Sequence, residues 1–152
     1  MTNNDILRRL RYALQLNDAQ VVKVIAHTEK KVTIGEVASW LKPENDPDLV
    51  AVEEVMLCRF LDGLIIEKRG LRPDGQIPEP RESLSNNEVL RKLRIALNLR
   101  EEGMIEVFQE TEFVVTKAEL SAFFRKEGHR NYRECPEQVL RKFLQGLSKR
   151  VG

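Results

Sequence analysis

The stretch EGHRNYRECPE, Glu127 to Glu137, crowds His129, Arg130, Tyr132, Arg133 and Cys135 into one loop ahead of a predicted helix. A thiol in that place, near cations and close to a helix start, can have its pKa lowered and act as a nucleophile, with His129 to assist it. The competing reading is packing: cysteine is among the most frequently buried residues, and Tyr132 reads as an anchor beneath the following helix. Cys58, inside an apolar run, reads as core. A second set of candidates is cationic. Arg8, Arg9 and Arg11 recur as Arg91, Lys92 and Arg94. At about 100° per residue Arg8 and Arg11, and likewise Arg91 and Arg94, project about 60° apart on the side away from the leucines. Two such stripes can grip phosphates, or they can pair with acids such as Glu53 and Glu54 on a neighbouring helix.

Familiar catalytic signatures are missing: the chain has no GxxxxGK[ST], GxGxxG, GxSxG or HExxH. Its two cysteines form no CxxC pair and share no ligand spacing with His27 and His129, so neither a metal site nor a cofactor is expected. HTEKKVTIGEVASWLK has the outline of a helix-turn-helix, yet Ile34 to Leu41 offers a base edge only Glu36 and Ser39. With 25 Lys+Arg against 24 Asp+Glu and a formal net charge of +1, no overall field attracts nucleic acid or an anionic membrane. The opening MTNNDILRRL carries no apolar stretch of signal-peptide length, and no segment approaches the roughly 20 apolar residues of a bilayer span. A cytoplasmic protein without a membrane partner is the expectation.

These residues hang on a frame that is written twice. Asn3–Leu64 aligns without a gap on Asn86–Leu147, with identities from Asn3/Asn86 through Arg8/Arg91, Glu36/Glu119 and Phe60/Phe143 to Gly63/Gly146. Between the copies, LRPDGQIPEPRESL carries three prolines and a glycine and reads as a connector. The organisation is therefore repeat 1 over 1–70, linker over 71–84 and repeat 2 over 85–152. Each repeat parses into four helices. The first opens on Thr2 or Ser85 with an acid three residues on, and the third on the boxes TIGE and TKAE. The second starts near Asn17 or Asp18, and the fourth near Pro47 or Pro136 with a seam of Leu57, Phe60, Leu61 and Leu64.

A repeat of about 65 residues is marginal alone, so the two are expected to pack through one core as an all-α body with a pseudo-two-fold axis. A helical glycine costs about 1 kcal/mol against alanine, yet Gly63 and Gly146 recur at one place. The expectation is that the two fourth helices meet near the pseudo-axis at these glycines; the rival is that each glycine only admits a side chain from its own copy.

NNDILRRLRYAL, FLDGLIIEKRG, NNEVLRKLRIAL and NYRECPEQVLRKFLQGL, in this order and around this linker, resemble the YehS-like family of bacterial proteins, which carry a duplicated domain of unknown function. The resemblance spans essentially the whole chain. It implies a small bacterial cytoplasmic protein and no activity, cofactor or catalytic residue that can be transferred. The reading that follows is a non-enzymatic helical module that binds or regulates a protein partner. Its face would combine Arg8, Arg11, Arg91 and Arg94 with His129, Arg130, Tyr132, Arg133 and Cys135. Two alternatives stay open: a nucleic-acid-associated regulator using the same arginines, and a thiol enzyme using Cys135.

Overall fold

Thr2, Asn17, Thr33, Ser85 and Thr116 each accept the backbone N–H three residues on, while the side chain of that residue reaches back to the cap's own N–H. Two otherwise orphaned donors are satisfied at each of these starts, which sets where the helices begin. The computed structural model describes residues 1–151. It contains α1 (Asn3–Ala13), α2 (Asp18–Ala26), α3 (Ile34–Trp40) and α4 (Glu54–Arg69) in the first repeat. The second holds α5 (Asn86–Ala96), α6 (Glu101–Gln109), α7 (Lys117–Phe123) and α8 (Glu137–Val151). No strand occurs among the described residues, and no helix there is long and apolar enough to cross a membrane.

The first helix of each repeat packs chiefly on the fourth helix of the other, α1 on α8 and α4 on α5. The paired helices start side by side. The Leu84 N–H, just ahead of α5, donates to the Glu54 carboxylate at the start of α4 (2.8 Å), and in the equivalent place the Met1 nitrogen reaches Glu137 at the start of α8. Farther along, Lys92 Nζ meets Asp62 at 2.5 Å, so α4 and α5 run in the same direction. Weaker contacts of α1 with α4 and of α5 with α8 close a ring of four helices that all begin at one end. The linker returns along α4 to reach that end, and the Arg81 N–H rests on Cys58 Sγ on the way (3.4 Å). Fourteen extended residues reach at most ~50 Å, about twice the ~24 Å length of a 16-residue helix.

One apolar interior results. Ile6, Leu7 and Leu10 of α1, Leu57 and Leu61 of α4, Leu90 and Leu93 of α5, and Leu140 and Leu144 of α8 are all buried in the same cluster. The all-α body of two tandem repeats is as expected. Gly63 and Gly146 serve a different contact. A Cβ on Gly63 would stand 2.1 Å from the Val24 carbonyl oxygen, and one on Gly146 2.1 Å from that of Val107. The close approach is to the backbone of α2 or α6 in the same repeat, and the two fourth helices do not meet at these glycines. The fourth helix also starts later than expected in repeat 1, at Glu54 and not near Pro47. The Val50 carbonyl and the Val52 N–H are taken by Asn4, as described below, which holds that segment out of the helix.

Gly63→Ala and Gly146→Ala should each cost about 3 kcal/mol, because a carbonyl and not a flexible side chain fills the space. Gly35→Ala in α3 meets only Thr33 Oγ1 at 3.7 Å and should gain up to about 1 kcal/mol from helix propensity. Urea midpoints of the three variants check both signs.

Candidate binding site on the second repeat

Each repeat carries one buried asparagine on the apolar face of its first helix, Asn4 and Asn87. Asn4 Nδ2 donates to the Trp40 carbonyl (3.0 Å) and the Val50 carbonyl (2.8 Å), while its Oδ1 accepts from the Val52 N–H (3.0 Å). Asn87 does the same with Phe123 (3.0 Å), Arg133 (2.7 Å) and the Cys135 N–H (2.8 Å). Asn3 and Asn86 add donations to the Val52 and Cys135 carbonyls. Both amide protons and the amide oxygen are used, so the chain leaving the third helix is clamped to the first. Sequence reasoning missed this clamp. Its signal was a polar residue on the Leu7/Leu10 face, repeated in both copies.

The paired arginines are half-buried, neither fully solvated nor paired with Glu53 or Glu54. Arg8 donates to the Lys42 carbonyl (2.9 Å) and pairs with Asp5 (3.0 Å), and Arg91 donates to the Phe124 carbonyl (3.1 Å). Arg94 lies over the Phe124 ring at 4.4 Å, a cation–π contact with no counterpart in repeat 1, where Leu41 stands in that place. Burial, and then the neighbouring charge of Arg91, pull the Arg94 guanidinium below its ordinary range.

Around Arg125, the residue that follows this turn, three clefts adjoin. One of about 490 Å³ lies between α7 and the clamped loop, lined by Glu119, Arg125, Arg130, Tyr132 and Arg133. A second of about 390 Å³ is lined by Arg94, Glu101, Met104, Phe124 and Arg125. A third of about 230 Å³ brings Arg91, Arg125, Lys126 and Tyr132 together beside Glu88 and Glu127. Arg125 lines all three and was not among the sequence candidates. Arg8 and Arg11 hold equivalent positions in the other repeat and line none of them. Among the described residues Arg125, Arg130 and Arg133 make no ion pair. The matching segment of repeat 1 is net acidic: it keeps the acid at Glu44, adds Asp46 and Asp48 where repeat 2 has His129 and Asn131, and has Pro43, Pro47 and Val50 where repeat 2 has Lys126, Arg130 and Arg133.

His129 is exposed and its Nδ1 accepts the Asn131 N–H within the turn (3.0 Å). Cys135 is buried on the far side of the clamp, and desolvation pushes its thiol up to about 12. That is the reverse of the activated thiolate a nucleophile needs. Burial raises the Cys58 thiol as well. The structure thus brings Arg91, Arg94, Arg130, Tyr132 and Arg133 around Arg125, and leaves Cys135 and His129 apart from the clefts.

The family model described as "Protein of unknown function (DUF1456)" matches residues 3–70 and again 86–151, one match on each repeat. The chain is 39% identical over 150 residues to the uncharacterized protein YehS of Escherichia coli (strain K12), covering 99% of this chain and 96% of that relative. No solved structure matches.

Asn87→Ala should cost about 2–3 kcal/mol, since the Phe123 and Arg133 carbonyls and the Cys135 N–H lose their partner; thiol labelling should report the released loop as faster modification of Cys135. In the wild type a thiol reagent at neutral pH should label Cys135 only as fast as the chain opens. The folded thiol keeps its proton to about 12, whereas an unfolded one releases it near about 8.5. Stability is therefore fully present below the unfolded value and falls as pH rises between the two. Cys135→Ala should flatten that decline, leaving the share due to Cys58, as urea midpoints at neutral and alkaline pH will register.

Proposed function

The chain belongs to this DUF1456 family of proteins of unknown function, and we propose that it is a non-catalytic helical binding module. In this reading the clefts around Arg125 in the second repeat receive an acidic segment of a protein partner. The observation that carries it is the set of exposed guanidinium groups of Arg125, Arg130 and Arg133, without an ion-pair partner among the described residues, on a backbone clamped by Asn87. Unpaired arginines held on a rigid frame favour carboxylate recognition, because planar bidentate donors are offered at little ordering cost. Phe124 and Tyr132 supply the apolar floor that a polypeptide, more than a bare ion, would use.

Nucleic acid is the weaker reading. Arg8 and Arg91 already spend donors on internal carbonyls, and Glu88, Glu119 and Glu127 interrupt the cationic surface. Phosphate tracking wants a continuous positive groove with stacking aromatics.

Titration of isotope-labelled protein with a glutamate-rich peptide should shift the amide resonances of Arg125, Tyr132 and Arg133. The double change Arg125→Glu and Arg133→Glu should weaken binding by roughly tenfold or more, while Lys30→Glu with Lys31→Glu leaves it unchanged. No shifts in monomeric protein, at a concentration or salt where no dimer forms, would remove the proposal. Salt-sensitive retention of mixed duplex DNA or RNA that depends on the same arginines would put the nucleic-acid reading in its place.

A further inference from the structure

We propose that a second copy of this chain occupies these clefts, forming a closed end-to-end dimer in which each acidic loop, Lys42–Val50, sits against the other copy's basic loop, Arg125–Arg133. The inference rests on the reading that the clefts take carboxylate-bearing segments, and it names the segment.

The two loops are equivalent by the internal duplication and opposite in charge. Lys42–Val50 carries Glu44, Asp46 and Asp48 against one lysine, whose own carbonyl is tied to Arg8. Arg125–Arg133 carries Arg125, Lys126, Arg130 and Arg133 against Glu127. None of these carboxylates or cations makes an ion pair among the described residues. Within one molecule they cannot reach each other. The acidic loop is fixed to the α1–α4 edge of the helix ring through Asn4, and the basic loop to the α5–α8 edge through Asn87. Both edges belong to the end where all four ring helices begin, so the loops stand across the pseudo-axis from each other on one face.

That placement decides the symmetry. A second molecule turned by half a revolution about the axis that lies in this end face at right angles to the line joining the two loops brings its acidic loop over the first molecule's basic loop and its basic loop over the acidic one. Both contacts form together, and the arrangement closes at two copies without growing into a filament. Ordering costs little, since Pro43 and Pro47 stiffen the acidic loop, the Asp48 N–H is bound to Asp46 Oδ1 (2.8 Å), and the asparagine clamps hold both backbones. Val50, half exposed at the edge of the acidic loop, adds an apolar contact that repeat 2 replaces with Arg133.

The test is a charge exchange read by sedimentation equilibrium. Wild-type protein should form dimers at about 50 mM salt, with a dissociation constant that rises roughly tenfold or more by about 500 mM. Glu44→Lys with Asp48→Lys makes both loops basic, and Arg130→Glu with Arg133→Glu makes both acidic. All four side chains are exposed, and Asp46, which holds the turn, is left in place. Each variant alone should be monomeric, and an equimolar mixture should recover a heterodimer. Asp48→Asn and Arg133→Gln, each a milder change, should weaken the dimer in the same direction. A wild type that stays monomeric at low salt, or reversed variants that dimerise like the wild type, would overturn the proposal. The glutamate-rich peptide separates the two readings: a monomer that still binds it at Arg125 and Arg133 refutes only the self-pairing, and a chain that neither pairs nor binds it refutes both.

Discussion

The apolar face of each first helix finds its main partner in the other repeat. α1 packs chiefly on α8 and α5 on α4, and Ile6, Leu7, Leu10, Leu90 and Leu93 are buried in one shared cluster, so the exchange is reciprocal and the two repeats share an interior. Burying a leucine contributes about 2 kcal/mol, and a repeat deprived of the exchange would leave several such faces in water. The parallel ring of α1, α4, α5 and α8 follows from this. So does the linker, which must travel back along α4 before α5 can begin beside it.

The exchange gathers four helix starts at one end, and there each loop entering a fourth helix must satisfy its backbone away from regular structure. Asn4 and Asn87 meet that need with three hydrogen bonds apiece. A buried amide with every group paired is stabilising and specific, whereas the same amide half-satisfied would cost more than an apolar side chain. The two charged loops are thereby anchored through their backbones, which is how a site on irregular chain becomes preorganised.

On this symmetric frame the differences between repeats carry the function proposed. Asp62, buried on α4, pairs with Lys92 of α5, whereas the equivalent positions across the axis hold Gln145 and Arg9. A buried ion pair is weak evidence for stability, since desolvation offsets the attraction. It does make the two cross-repeat seams chemically distinct. Val52 is matched by Cys135, Leu41 by Phe124 and Asp46 by His129. Two of these changes alter what the surface offers to a partner, and Cys135 alters only the interior.

The sequence by itself determined the duplication, the all-helical class and most helix starts, because capping boxes and the 3.6-residue period are local signals that burial reinforced. It also pointed to the segment from His129 to Cys135 as the loop where histidine, arginine, tyrosine and cysteine side chains gather. Tertiary structure alone decided that first and fourth helices exchange partners and that Gly63 and Gly146 face Val24 and Val107. It also placed Arg125 at the junction of the clefts and Cys135 behind the clamp. The reason is common to all four: each depends on which faces meet across the chain. Two four-helix units with the same periodicity can close on themselves or on each other, and only the packed interior, with its paired asparagines and close carbonyl contacts, distinguishes the two.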